Sequence, residues 1–174
     1  IDSIKAGKAH VLLCLAQTEE RNRFLNFTQS YIAYPFVIVN NKEGDFIGSL
    51  EDLRGKKVAV PRGYYISKKI AQAYPDIELL YTKDMESALM YVSMGRAEAT
   101  VGNLGAIGYY LSFGGFHTLQ IAADTEFDKL RLSIGVSKEH PELHGILEKS
   151  LSSISQDDRL AILSKWGNVT YEHG

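Results

Sequence analysis

Two distant stretches of this chain follow one pattern. Residues 4–17 read IKAGKAHVLLCLAQ and residues 93–103 read SMGRAEATVGN. In each, apolar residues lead to a glycine, a basic residue, an alanine, a polar residue and then a β-prone run. A glycine that closes a helix takes up the left-handed conformation without a Cβ penalty. Each stretch therefore reads as a helix stop feeding directly into a strand. In open α/β sheets ligands collect at the carboxyl ends of such strands. Two copies of this turn predict two α/β lobes, each offering one strand end to a shared cleft.

The remainder of the chain alternates in the same way. YPFVIVN (34–40) is β-branched and aromatic and reads as a strand, with Pro35 at its start or edge. Ser49 and Asp52 form a capping-box pattern ahead of the strand KKVAVPRG, and a helix follows from Tyr64 or Tyr65 to about Tyr74, before Pro75. IELLYT is the next strand. Met85, Ala88, Leu89 and Val92 then fall on one helical face. The segment after Gly95 gives the strand AEATVGN, the glycine-rich helix LGAIGYYLSFGG, and the strands TLQIAA and RLSIGVS. Pro141 opens a helix whose apolar positions are Leu143, Ile146, Leu147, Leu151 and Ile154. A second capping box, Ser155 with Asp158, opens the last helix, which Trp166 is expected to pack. TEERNRFLNFT reads as a short helix or turn, and DTEFD (124–128) as a solvated loop.

Charge narrows the function classes. Nineteen basic against twenty-one acidic residues leave a net charge of −2 on 174 residues, with no basic stripe for nucleic acid. VLLCLA is too short to span a bilayer. The single cysteine, Cys14, lies in that apolar run and is expected to pack as a small buried hydrophobe. His140 and His144 stand four apart with no third ligand in the pattern, so a plain helix start is expected there and no metal site. No cofactor motif is present.

KAGKAHV…TEERNRFLNFTQSY, SLEDLRGKKVAVPRGYY, ALMYVSMGRAEATVGN and LRLSIGVSKEHPELHGILEKSL, in that order, resemble the type II periplasmic solute-binding (Venus flytrap) family in its amino-acid-binding branch. VGNLGAIGYYL, the proline in YIAYPFVIV and the ending ILSKWG are most similar to the extracytoplasmic sensor domains of bacterial histidine kinases. The resemblance implies a two-lobed α/β fold. Residues 1–33 and 132–174 would form lobe one, which lacks its N-terminal elements by the family pattern, and 34–131 lobe two. Hinge crossings are expected near 34–39 and 131–136. It also implies a non-enzymatic, periplasmic sensing domain attached to the inner membrane through a helix outside this chain, compatible with a homodimer. Ligand would bind between the lobes and signal by hinge closure. A free solute-binding protein of an ABC transporter is the alternative, and a dehydratase-like enzyme on the same scaffold a more distant one.

Candidate ligand-binding residues follow from both readings. Arg62, Gly63, Tyr64 and Tyr65 lie between a strand end and a helix start, where free N–H groups and the helix dipole favour a carboxylate or phosphate oxygen. Arg62 either adds charge there or faces solvent, and at least one of the two tyrosines is expected to wall the cleft. The family resemblance adds Thr18 and Arg21 of TEER, against the plainer alternative of a helix cap and a surface ion pair. Tyr31 and Tyr34 flank the first crossing and either stack on a ligand or fill the hinge. By the resemblance, Phe36 stands where amino-acid-binding members usually carry an arginine for the ligand's α-carboxylate, and Asn103 where they carry an aspartate for its α-ammonium group. An amide there donates and accepts without requiring a charged ligand. An organic acid or similar polar solute is therefore expected rather than an ordinary amino acid.

Overall fold

The computed structural model describes residues 1–166, of which the side chains after 162, that of Trp166 included, lie outside the described part. The chain divides into two compact units. The first comprises Ile1–Tyr34 and Lys129–Trp166, the second Pro35–Asp128. Each is built on its own sheet.

The second unit holds β4 (Phe36–Asn41), β5 (Lys57–Pro61), β6 (Glu78–Thr82), β7 (Ala99–Asn103) and β8 (Leu119–Asp124), in the spatial order β6-β5-β7-β4-β8. β5 runs parallel to β6 and β7, while β4 is antiparallel to β7 and β8. The connecting helices are α3 (Tyr65–Ala73), α4 (Met85–Ser93) and α5 (Leu104–Phe113). The step from β5 to β6 and the step from β6 to β7 run in opposite directions across the sheet. Right-handed crossovers therefore put α3 and α4 on opposite faces. Along β4 the burial is continuous, as expected of a strand covered on both sides. Val37, Val39 and Ala59 pack with Met85, Ala88, Leu89 and Val92 of α4 and Ile107 of α5. Strand alternation sends Ile38, Val58 and Val60 to the other face, and α3 buries Ile66, Ser67 and Ile70.

Helix boundaries follow local chemistry. Gly95 after α4 has φ +69, the left-handed stop its sequence predicts. A short 3-10 turn, Leu50–Leu53, starts with Asp52 accepting the N–H groups of Gly48 and Ser49 at 2.9 and 3.0 Å. Residues 124–128 keep their three carboxylates, Asp124, Glu126 and Asp128, exposed, as expected of a solvated loop, while two of their side chains also meet Tyr74. Glu126 accepts the hydroxyl of Tyr74, and Phe127 packs edge-to-face on the Tyr74 ring at 6.5 Å.

The first unit is built around β9 (Leu130–Ser137). β1 (Val11–Leu15) pairs antiparallel along it, and β2 (Leu25–Phe27) and β3 (Ile32–Tyr34) pair with its second and first halves. α1 (Asp2–Lys5) precedes β1, with Gly7 at φ +67 between them, and α2 (Glu19–Asn22) follows β1. α6 (Pro141–Ser153) and α7 (Gln156–Trp166) end the described chain; Ser155 accepts the N–H of Asp158 at 3.1 Å at the start of α7. TEERNRFLNFT thus contains a strand, β2, that its sequence does not announce.

Two expectations for this unit are corrected. Of the five apolar positions assigned to α6 and its end, Leu151 is buried and Leu143 and Leu147 pack against the cluster, but Ile146 is 60% exposed and Ile154 also faces out. Cys14 is exposed, not a buried hydrophobe. The pairing with β9 slips between Leu12 and Leu15, and Cys14 there has φ +52. The bulge turns Leu13 and Cys14 outward, and the Tyr31 hydroxyl holds it by accepting the Cys14 N–H at 2.9 Å and lying 3.1 Å from Cys14 Sγ.

Candidate functional site

In the second unit the three parallel strands β5, β6 and β7 each run straight into a helix start. Their carboxyl ends therefore form one edge with three helix N-termini. Asp84 caps α4, its carboxylate accepting the N–H of Ser87 at 2.9 Å and its hydroxyl at 2.6 Å. Those bonds hold the Asp84 carboxyl below the usual carboxylate range. Asn103 caps α5, with Oδ1 accepting the Ala106 N–H at 2.9 Å. Its acceptor is thus committed to the cap, leaving the amide N–H groups for other partners.

α3 starts differently. Its N-cap, Tyr64, makes no side-chain bond to the helix, and Gly63 ahead of it has φ +80. Arg62 donates its N–H to the carbonyl of Thr82, tying this loop to the end of β6, and its guanidinium lies 5.1 Å from the centre of the Tyr81 ring. Tyr64 and Tyr65 are 47% and 57% exposed. Lys69, one turn on, stands over the Tyr65 ring at 5.5 Å. The first turn of α3 therefore offers uncapped N–H groups between exposed aromatic rings and two cations, a setting that suits an anionic oxygen attached to a planar or apolar body.

Two members of this edge, Asn103 and Tyr65, meet through Phe36, the position where the resemblance puts the arginine of amino-acid-binding members. Phe36, 4% exposed, opposes Asn103 across the β4–β7 ladder, and its ring lies 6.3 Å from that of Tyr65. Tyr110, on the second turn of α5, is another member of the edge. Burial pushes its hydroxyl pKa up, and the charges of Glu86 and Asp84 and the Tyr64 hydroxyl add to the shift. The pairing of Phe36 with Asn103 is set by sheet register, and no local pattern marks Tyr110.

In the first unit Thr18 and Arg21 come together beyond the end of β1. Thr18 Oγ1 accepts the Arg21 N–H at 3.3 Å as the N-cap of α2, and Arg21 Nη1 donates to the Ala16 carbonyl at 2.7 Å. The guanidinium is thereby aimed, half-buried, and no carboxylate among the described residues pairs with it. Tyr31 holds the Cys14 bulge; burial first, then the bond to Cys14, raises its pKa. Its ring packs against Ile134, Val136 and Leu151. Tyr34 ends β3, opposite Leu130.

Neither histidine of EHPELH makes a metal cluster: His140 packs edge-to-face on His10 at 4.3 Å, and His144 Nε2 lies 2.9 Å from the Phe27 carbonyl. Among the described residues no group of three or more His, Cys, Asp or Glu side chains could hold a metal ion. No described helix is long and apolar enough to cross a membrane.

Comparison with known proteins places the fold. The family model of the bacterial extracellular solute-binding proteins, family 3, matches residues 1–169. The virulence sensor protein BvgS of Bordetella pertussis is 26% identical over 166 residues, 95% of this chain and 13% of that protein. The sensor protein EvgS of Escherichia coli K12 is 26% identical over 158 residues, 89% of this chain and 13% of that protein. This chain thus spans about an eighth of the length of both. Among solved structures, the periplasmic VFT2 domain of B. pertussis BvgS superposes with a TM-score of 0.78 at 26% identity, over 95% of this chain and 70% of that one. An ancestral arginine-binding protein bound to arginine gives 0.71 at 28% identity, over 95% and 74%. The mixed α/β, two-sheet architecture is the Venus flytrap, periplasmic-binding-protein-like fold.

Proposed function

The chain belongs to the bacterial extracellular solute-binding proteins, family 3, and from that membership we propose that it is the extracytoplasmic small-molecule-sensing domain of a membrane-bound sensor histidine kinase. The likeness to BvgS and EvgS over nine-tenths of the chain supports a sensor ahead of a free binding protein. In this reading the domain is periplasmic, its membrane anchor and any kinase module lie outside these residues, and the domain itself binds rather than catalyses. Signalling follows from unequal affinity for two conformations, since a ligand with equal affinity for both shifts nothing.

The ligand is an organic acid or a similar polar solute. One observation carries this: α3 begins without a side-chain cap, beside Arg62 and two exposed tyrosines, while its neighbours α4 and α5 are capped by their own residues. Gly63, Tyr64 and Tyr65 supply the backbone donors and aromatic walls, and Asn103 adds amide N–H groups at the adjoining strand end. In the first unit Arg21, oriented by Ala16 and without a carboxylate partner among the described residues, supplies a second cationic contact, with Thr18 holding its helix in place. Tyr31 and Tyr34 serve mainly as supports, Tyr31 through the Cys14 bulge.

Thermal unfolding against a panel of carboxylates, phosphate esters, amino acids and polyamines tests the class. A ligand present at about a hundredfold above its Kd adds about 2.7 kcal/mol to the stability of the folded state. The expected hit is a carboxylate or phosphate ester, and its shift should fall in Tyr64→Ala and in Arg21→Gln. A hit confined to free amino acids overturns the organic-acid class; a carboxylate hit unchanged in both variants overturns the residue assignment. The carrier alternative is read from the intact gene product. A membrane-spanning segment and kinase module on the same polypeptide support the sensor, and a released protein that stimulates transporter ATPase overturns it.

A further inference from the structure

We infer that α3 is a rigid link joining the Arg62–Tyr65 loop to both segments through which the chain enters and leaves the second unit. The entry lies at Tyr34/Pro35 and the exit at Asp128/Lys129. At the N-terminal end of α3, the Tyr65 ring lies 6.3 Å from that of Phe36, the first residue of β4 and the second after the entry. The Phe36 carbonyl in turn accepts the Thr125 N–H at 2.8 Å, which ties the entry strand to the exit segment. At the C-terminal end, the C-cap residue Tyr74 gives its hydroxyl to Glu126 and packs edge-to-face on Phe127, two and one residues before the exit's Asp128. Arg54 backs the Tyr74 ring at 5.1 Å and is itself fixed by Glu51 and by Asp76 at 2.9 Å.

Between these two ends the helix has no freedom to absorb a displacement. Ile66, Ser67 and Ile70 are buried, and Ser67 Oγ donates to the Pro61 carbonyl at 2.7 Å, locking the first turn of α3 to the end of β5. Nine helical residues make a rod about 14 Å long. Packed elements shift as units rather than deform continuously. A change at the Arg62–Tyr65 loop that moves α3 is therefore delivered to the exit segment through Tyr74, and to the entry strand through Tyr65. Tyr74 and Glu126 are positioning residues in this scheme and touch no ligand. The inference takes from the proposed function only the role of the loop as the ligand's contact; the link itself exists without ligand and is tested without it.

Hydrogen exchange on the ligand-free protein reads both ends at once. Rates are taken relative to the amides of β4 and β5, which report global opening. Tyr74→Phe removes only the hydroxyl, and Glu126→Gln keeps an acceptor while removing the charge. Each should speed exchange of the Thr125 amide, bonded to the Phe36 carbonyl, and also of the Arg62 amide, bonded to the Thr82 carbonyl, by at least about threefold, the scale of coupling between contacting groups. Tyr65→Ala should act reciprocally, speeding exchange of the Tyr74 amide, bonded to the Ile70 carbonyl, because coupling between two sites has no direction. Changes that stay at the mutated end in all three variants overturn the link. Failure of the ligand panel alone overturns the ligand class and leaves this result standing.

Discussion

The two units treat their apolar residues differently. In the second, a five-stranded sheet is covered on both faces, and Val37, Ile38, Val39, Val58 and Val60 are all fully buried. In the first, three strands are laid along β9, the buried apolar residues among those described are Ile4, Leu25, Ile134, Val136 and Leu151, and Leu13, Ile146, Leu160 and Ile162 face outward. A candidate ligand edge built on the second unit is held by a packed core, as a site needs to be if its donors are to stay aimed. The first unit offers Arg21 on a four-residue helix fixed by two hydrogen bonds. One unit thus acts as the platform, and the other is drawn from the less tightly packed, more easily opened end of the stability range.

The largest expected effect tests that contrast directly. Leu89→Ala, in the second unit's core, should cost about 3 kcal/mol through lost transfer energy and the cavity left behind. Ile146→Ala, at an exposed helix position, should stay within about 0.5 kcal/mol. Urea unfolding of both variants measures the difference. If Ile146→Ala costs as much as Leu89→Ala, the first unit is packed more tightly than its exposed residues imply and the contrast fails.

That same contrast decides how much could be read from the sequence. The second unit was legible because its elements are long and locally punctuated. The β-branched FVIV run of β4, the 0-3-4-7 face of α4, the Asp52 cap and the Gly95 stop are all local signals, and each appears in the structure. The first unit was less so. β2 and β3 have three residues each and exist because β9, some hundred residues later, pairs with them. The Cys14 bulge was invisible for the same reason: a non-glycine residue at positive φ is held there by Tyr31, not by its neighbours. Within the candidate site, Asn103 followed from the turn-into-strand pattern, Arg62–Tyr65 from a strand end meeting a helix start, and Phe36 from the family resemblance. Tyr110 did not, because only helix packing brings it to that edge.

An intermediate effect should appear at high pH, through Tyr74 of the second unit. The bond to Glu126, with burial second, pushes the Tyr74 hydroxyl up to about 12 from its ordinary value of 10.0. The neutral, donating form is thus the one the folded state favours. Its contribution is complete below pH 10 and is lost as pH rises toward 12, on the order of 1 kcal/mol by pH 11. Tyr74→Phe should flatten that part of the alkaline stability profile relative to the parent while lowering stability at neutral pH. A parent and variant with parallel profiles between pH 9 and 11 would detach Tyr74 from Glu126.

The smallest effect separates the units by how each uses the left-handed region. Gly63 adopts φ +80 at no steric cost, whereas Cys14 adopts φ +52 with a side chain and requires the Tyr31 hydroxyl to stay there. Such a non-glycine conformation costs on the order of 1 kcal/mol and persists only while its surroundings impose it. Tyr31→Phe removes the hydroxyl's bond to the Cys14 N–H and leaves the ring packed against Ile134, Val136 and Leu151. It should therefore lower stability by about 1 kcal/mol, the net value of one hydrogen bond. Replacing Cys14 by glycine should make that loss smaller, because the bulge then needs less holding. A double-mutant cycle on urea midpoints decides it: additive costs would mean that the hydroxyl's contribution does not depend on the conformation of residue 14, and that the bulge stands without it.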